Sequence, residues 1–385
     1  MKMKKLIALL LSLVMLLSLV ACGKKETAKD EENKNESSRP AHSEEASNLM
    51  ELPESPAEDF EITDNGDGTA ALARYLGDDE AVVIPASIGD LKITSIADEA
   101  FAENTTLKMI RFADTIECAG EYVFKNDQSL QIVVFGSGMR DTGESTFYGC
   151  STLNEVILND GLEIIGACSF LGCNALPSIY IPDSVTEIRS TAFALCYSLK
   201  DIDLPDSLKE LSFNCFSDCT SLESIKIPDS VTVIDDECFE GCESLKNVEF
   251  PDSVTDVGNR TFLECTSLES IRLPGSITRI GAQCFDGCVK LTTVEIPDSV
   301  TAISRYAFRG CVALKELELP DGLTSIGLSA ITGCTALHSL EVSDSVTQIE
   351  SFNFTNCADD FCLTVESGSY AEQYATENGI DFKTN

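Results

Sequence analysis

The chain has 385 residues, with 27 Lys and Arg against 64 Asp and Glu, and its formal net charge is −37. This acidic balance lacks the basic footprint that nucleic-acid binding requires, so we expect no nucleic-acid partner. Two histidines leave little material for imidazole catalysis, and the sequence has no phosphate-binding loop, metal-binding histidine pair or nucleophile elbow. We therefore expect neither an enzyme nor a bound cofactor or metal.

The first 21 residues have the order of a secretory signal. Lysines come first, and the apolar run Leu6–Ala21 that follows is short for a bilayer span. Residues 19–23 read LVACG, which resembles a bacterial lipobox. The resemblance implies cleavage before Cys22 and lipidation of that cysteine, and hence a surface-exposed protein anchored by lipid to the extracytoplasmic face of the membrane. The alternative is an ordinary cleaved signal with an incidental cysteine.

Residues 22–59 are rich in Glu, Lys, Asn and Ser and carry few apolar side chains. Such a segment cannot bury enough surface to offset the entropy of ordering, so we predict a disordered acidic tether. Residues 60–70 then read FEITDNGDGTA, which predicts a strand, a tight turn and a second strand. We expect residues 60–84 to form an N-terminal hairpin cap. The turn faintly suggests a calcium loop, but the downstream glutamate is missing, which favours a plain turn.

A repeat of constant length governs the rest of the chain. Proline recurs every 23 residues, at 182, 205, 228, 251, 274, 297 and 320, within the unit LxxIxIPDSVTxIxxxxFxxCxx. The LxxIxI segment alternates as a strand does, proline ends it, and the phenylalanine fills the interior. One coil cannot bury its own apolar face, but stacked coils can. We predict about 12 stacked coils over residues 85–365, with parallel strands and a monomeric state.

The unit resembles the BspA-like leucine-rich repeat. The resemblance implies an α/β-type solenoid, and residues 368–375, GSYAEQYA, resemble the short helix that closes many such arrays. We expect a helical C-terminal cap at 366–385. The resemblance also implies a cell-surface binding or adhesion protein whose partner is an extracellular protein or another cell-surface ligand. The alternatives are a structural envelope scaffold and a lipoprotein that captures glycans or peptides.

Cysteines recur with the same period, which decides their chemistry. Ten of them lie one repeat apart, at 150, 173, 196, 219, 242, 265, 288, 311, 334 and 357. Their Cβ vectors are parallel and do not converge as a disulfide requires, so we predict buried free thiols. Cys215, Cys238 and Cys284 each precede a column cysteine by four residues. These pairs run along the array instead of converging on one point, which does not suit structural zinc.

The outward strand positions of the early coils are apolar, at Met109, Ile132, Val134, Ile157 and Tyr180. Exposed apolar clusters mark contact sites, so these five residues are our candidate ligand-binding site, with tyrosine as its anchor. The alternative is that a neighbouring loop or the N-terminal hairpin covers them. Later coils carry charged and small polar side chains at the same positions.

Overall fold

The computed structural model describes residues 41–102 and 104–385. The predicted signal segment and the lipidation site at Cys22 lie outside the described residues and stay predictions. The prediction of a disordered tether up to residue 59 is wrong for its last part. That part contains helix α1, Glu44–Glu51, and a 3-10 turn at Ala57–Asp59. These residues are ordered despite their polar composition because a few apolar side chains of α1 are buried against the solenoid.

The N-terminal hairpin joins the first coil. Strand Phe60–Asp64 pairs antiparallel with Thr69–Tyr75, and the latter pairs parallel with Leu91–Ile96. Ser87–Ile88 adds an antiparallel edge to this sheet. The turn between the first two strands needs glycine, because residues 66 and 68 have φ of 80° and 88°. The hairpin therefore closes the sheet at the N-terminal end of the array.

Two sets of short strands run through the coils. The first set forms the surface that we call the strand face: Ala81–Val83, Met109–Arg111, Ile132–Val134, Glu155–Ile157, Ser178–Tyr180, Asp201–Asp203, Ser224–Lys226, Asn247–Glu249, Ser270–Arg272, Thr293–Glu295, Ser339–Val342, Cys362–Val365 and Phe382–Thr384. The second set lies on the other side of the proline turn: Cys118–Ala119, Ile164–Ile165, Glu187–Ile188, Glu210–Leu211, Val233–Ile234, Asp256–Val257, Arg279–Ile280, Ala302–Ile303, Ser325–Ile326 and Gln348–Ile349.

Strand pairing follows the sequence period and confirms the predicted fold. Ser224 pairs with Asn247 and Lys226 with Glu249, each 23 residues on, and the pairing is parallel. The chain is thus a parallel-strand leucine-rich-repeat solenoid. The remaining part of each coil is built from turns, with positive φ at two corners, such as Thr191 (62°) and Leu195 (60°). Within the described residues the α-helices lie outside the repeats, so the α component of the expected α/β class is confined to the ends.

A stack of aromatic rings fills the interior of the coils. The phenylalanines at 101, 124, 147, 170, 193, 216, 239, 262, 285 and 308 are at most 1% exposed. Consecutive rings lie 4.8 to 5.8 Å apart between centroids with interplanar angles of 2° to 24°. Ile331 takes the next place and is also fully buried. The core is therefore continuous from coil to coil.

The C-terminal end carries helix α2, Tyr370–Asn378, capped by the Ser369 hydroxyl, which accepts a hydrogen bond from the Glu372 N–H at 3.2 Å. Gly379 ends the helix in the left-handed conformation, with φ of 66°. A last strand, Phe382–Thr384, then pairs parallel with Cys362–Val365. The sequence pattern did not indicate this strand, because its residues follow no repeat.

Candidate binding surface

Each coil presents two outward side chains on the strand face, one on either side of a buried residue. In one coil the exposed Ser224 and Lys226 flank Ile225, which is 3% exposed. The parallel register places the equivalent residues of the next coil directly beside them. Two columns of side chains therefore run along the strand face. Their identities can vary without cost to the core, because alternate strand residues point to opposite sides.

From the coil of Asp201 onward the strand face is open and polar. Every outward position of seven consecutive coils is exposed: Asp201, Asp203, Ser224, Lys226, Asn247, Glu249, Ser270, Arg272, Thr293, Glu295, Glu316, Glu318, Ser339 and Glu341. These side chains line a shallow groove over the strands from Ser224–Lys226 to Thr293–Glu295. We call this region the open face.

Charges of opposite sign alternate along the first part of the second column of the open face, in the order Asp203, Lys226, Glu249, Arg272, Glu295, and two glutamates, Glu318 and Glu341, complete the column. The Arg272 Nε lies 3.6 Å from the Glu295 Oε2, and the two side chains are 84% and 76% exposed. Ion pairs this exposed contribute at most about 1 kcal/mol to stability. The charges can therefore engage a partner at little cost to the fold.

The structure does not leave the predicted apolar site exposed. Ile132 and Val134 are each 5% exposed, and Met109 and Ile157 are half-buried, because helix α1 packs across them. The expectation that these four side chains are exposed is wrong, and their contact with a ligand stays a prediction. Their cover is a helix from the segment expected to be disordered, not a loop or the hairpin. Tyr180, the proposed anchor, is half-buried in the next coil and lies outside this apolar cluster.

Helix α1 is held by a narrow apolar stripe. Ala46 and Leu49 are fully buried and Met50 is partly buried, which is the i, i+3, i+4 spacing of one helix face. Burial of a leucine contributes about 1.5 to 3 kcal/mol. A helix of eight residues is too short to persist alone, so its contacts with the strand face decide whether it forms. The Ser43 hydroxyl helps by accepting a hydrogen bond from the Ala46 N–H at 3.1 Å.

Two charged side chains of the strand face hold the ends of α1. The Glu155 carboxylate accepts hydrogen bonds from the Ser43 N–H at 3.0 Å and from the Ser43 hydroxyl, at the N-terminal end of the helix. The Arg111 Nη2 donates to the Leu52 carbonyl at 3.0 Å, at the C-terminal end. Beyond this point the Ser55 N–H donates to the Val83 carbonyl at 2.9 Å. The segment is thus anchored at three points.

The cysteine column consists of free thiols, as predicted. Its members from Cys150 to Cys334 are fully buried, and each Sγ–H donates to the carbonyl of the phenylalanine 26 residues earlier, at 3.0 to 3.4 Å. Burial raises the pKa of the Cys196 thiol to about 12. These thiols stay protonated at neutral pH, and the thiolate is the reactive form.

Ionisable groups do not assemble into a metal centre in the part of the chain that the structure describes, where no group of three or more His, Cys, Asp or Glu side chains could hold an ion. His338 contacts Asp360 one coil further on, and this pairing lowers the pKa of the exposed Asp360 carboxyl. Within residues 41–102 and 104–385, no helix has the length and apolar character needed to cross a membrane.

The sequence pattern did not predict that α1, Glu155 and Arg111 form one arrangement. A signal for the helix was present, since a serine cap precedes two acidic residues and an apolar i, i+3, i+4 stripe. The roles of Glu155 and Arg111 gave no such signal. They occupy ordinary outward strand positions, and only the seated helix distinguishes them.

A family model described as "BspA type Leucine rich repeat region" matches the chain in six copies, over residues 82–200, 143–268 and 255–369. No curated protein matches the chain. Among solved structures, a leucine-rich repeat protein from Bacteroides ovatus has 28% identity and a TM-score of 0.61, and the alignment covers 85% of this chain and 98% of that one.

Two further solved structures are similar. A leucine-rich cell surface protein from Faecalibacterium prausnitzii has 26% identity and a TM-score of 0.54, with 82% of this chain and 95% of that chain covered. The pneumococcal vaccine antigen PcpA has 19% identity and a TM-score of 0.50, with 85% and 96% covered. The similarity to PcpA concerns the fold alone.

Proposed function

Because the chain belongs to the BspA-type leucine-rich repeat family, we propose that it is a bacterial cell-surface protein that binds a macromolecular partner through its open face. Lipid on Cys22 would anchor it outside the membrane, and the residues that follow would carry the solenoid away from the bilayer. The similarity to the leucine-rich cell surface protein from Faecalibacterium prausnitzii supports this location. A fold alone does not decide function, which depends on the side chains that the surface presents.

The open face is the observation that carries the proposal. Seven coils in a row expose both of their outward side chains there, on backbone segments that a continuous core holds in place. A surface fixed in this way loses little conformational entropy when a partner binds, which favours affinity. The strands from Ala81–Val83 to Glu155–Ile157 of the same face lie under α1, whereas the seven coils of the open face are exposed.

The side chains of the open face favour a protein partner over a glycan. Glycan-binding faces usually offer aromatic rings, and the outward positions from Asp201 to Glu341 carry none. They carry seven acidic and two basic side chains together with Ser, Asn and Thr. Such a pattern gives specificity by matching a partner of complementary charge and repelling others.

The test is retention of purified residues 22–385, with Cys22→Ser, on immobilised cell-wall and extracellular-matrix fractions. The charge-reversal variant Lys226→Glu with Arg272→Glu places two new carboxylates in the centre of the open face. We expect it to lose at least about tenfold in retention on any fraction that holds the parent protein, because like charges would then face the partner.

The matched control reverses two exposed basic residues outside the strand face, Lys290→Glu with Arg305→Glu. Its net charge equals that of the first variant, so any general effect of added negative charge appears in both. Equal retention by the two variants would show that the open face is not the contact. Loss of retention in the control alone would place the contact outside the strand face, near Lys290 and Arg305.

A further inference from the structure

The strand face of the first coils has the features of a groove for a helix. Beneath α1 lie Val83, Ile132 and Val134, buried together with Ala46 and Leu49 of the helix. This apolar cluster is separate from the main core, which runs through the phenylalanine stack. The helix therefore adds no side chain to the main core, and the coils beneath keep their own packing without it.

Charges at the two ends of this groove match the polarity of a helix. Glu155 lies at the end that receives the helix N-terminus, where the macrodipole is positive, and Arg111 lies at the end that receives the C-terminus, where it is negative. A segment that only covered apolar surface would not require an acidic residue at one end of the groove and a basic residue at the other. The groove thus selects a helix of one direction.

Helix α1 is attached weakly enough to detach from the strand face while the coils stay folded. The helix has eight residues and buries two of them fully, and the hydrogen bonds that hold it to the strand face come from residues outside it, at Ser43, Leu52 and Ser55. Small units with few buried contacts open at free energies far below that of global unfolding.

We propose that α1 is a releasable strap over a helix-binding groove, and that the groove takes an amphipathic helical peptide of a partner protein. The groove consists of Val83, Met109, Ile132, Val134 and Ile157, with Glu155 and Arg111 at its ends. The partner helix carries an apolar i, i+3, i+4 stripe like that of α1 and binds in the same direction. This site is additional to the open face, and its existence does not depend on the proposed function.

The binding test uses residues 22–385 and a fluorescent peptide with the sequence of residues 41–57 as the probe. Leu49→Asp puts a carboxylate into the apolar groove and should release the strap. Asn48→Asp adds the same charge at the preceding residue, which is exposed, and is the matched control. In the control the tethered strap competes at high effective concentration, so we expect the peptide to bind the Leu49→Asp protein at least about tenfold more tightly. A peptide that itself contains Leu49→Asp should not bind.

Hydrogen exchange of the unmutated protein tests release without any substitution. The Ser47 amide, which donates to the Ser43 carbonyl within α1, should exchange at least about a hundredfold faster than the Phe147 amide in the coils. Equal protection of the two amides would overturn the proposal, because the strap would then open only with the whole fold. Peptide binding that is no tighter to Leu49→Asp than to Asn48→Asp would also overturn it, as would loss of the coil structure in Leu49→Asp.

Discussion

Replacing one ring in the middle of the phenylalanine stack tests how the solenoid is held together. Phe239 is fully buried, and its ring centroid lies 5.8 Å from that of Phe216 and 5.7 Å from that of Phe262. Phe239→Ala removes the ring and both contacts, and emptying such a site costs about 3 to 5 kcal/mol in the free energy of unfolding. Because adjacent coils share the stack, the coils on both sides should loosen together.

Urea unfolding followed by circular dichroism measures the loss, and hydrogen exchange locates it. The matched control is Phe213→Ala, since Phe213 is 40% exposed and lies outside the stack. We expect the control to lose less than about 1 kcal/mol, as is usual for partly exposed positions. Equal losses in the two variants, or exchange that rises only within the coil of residue 239, would refute the account of a shared core.

Three other predictions follow from buried and terminal groups. Burial raises the pKa of the Asp127 carboxyl, and its Oδ2 has no hydrogen-bond partner in the described residues. The folded protein therefore holds this proton more tightly than the unfolded chain does, so the stability of the fold decreases as the pH rises through the raised pKa. Asp127→Asn, which removes the charge, should therefore change stability relative to the parent protein more favourably at pH 7 than at pH 3, as urea midpoints at the two pH values would show. In the native protein the exposed thiol of Cys118 should react with a thiol reagent, whereas the buried thiol of Cys196 should react only after unfolding. Rapid reaction of all thiols in the native protein would contradict the buried column. Cys22→Ser should move the mature protein from the detergent phase to the aqueous phase, and its retention in detergent would contradict the lipobox interpretation.

The 23-residue period of the sequence predicts most of the fold. Proline, phenylalanine and cysteine each recur at intervals of 23 residues, and the parallel register that pairs Ser224 with Asn247 repeats the same interval. A regular period leaves one way to stack coils with every apolar position inside, so stacking could be inferred without coordinates. The free state of the column thiols followed from the same geometry.

The elements outside the period could not be inferred in this way. Residues 43–51 have a polar composition that is typical of disorder, and their helix depends on an apolar surface that lies 31 to 111 residues away along the chain. The apolar residues Ile132 and Val134 were recognised as unusual for an outward column, but the pattern of the coils did not indicate what covers them. Contacts that do not repeat from coil to coil leave no periodic signal in the sequence, so they become evident only in the folded structure.

Covalent footprinting of lysines tests most directly whether the open face is the binding surface. The acylation rates of Lys226, on the open face, and of Lys290, outside the strand face, are compared before and after residues 22–385 bind the fraction that retains them. The account predicts at least about fivefold protection of Lys226 and none of Lys290, since only contacts on the open face exclude the reagent there. Protection of Lys290 with Lys226 left reactive would contradict it.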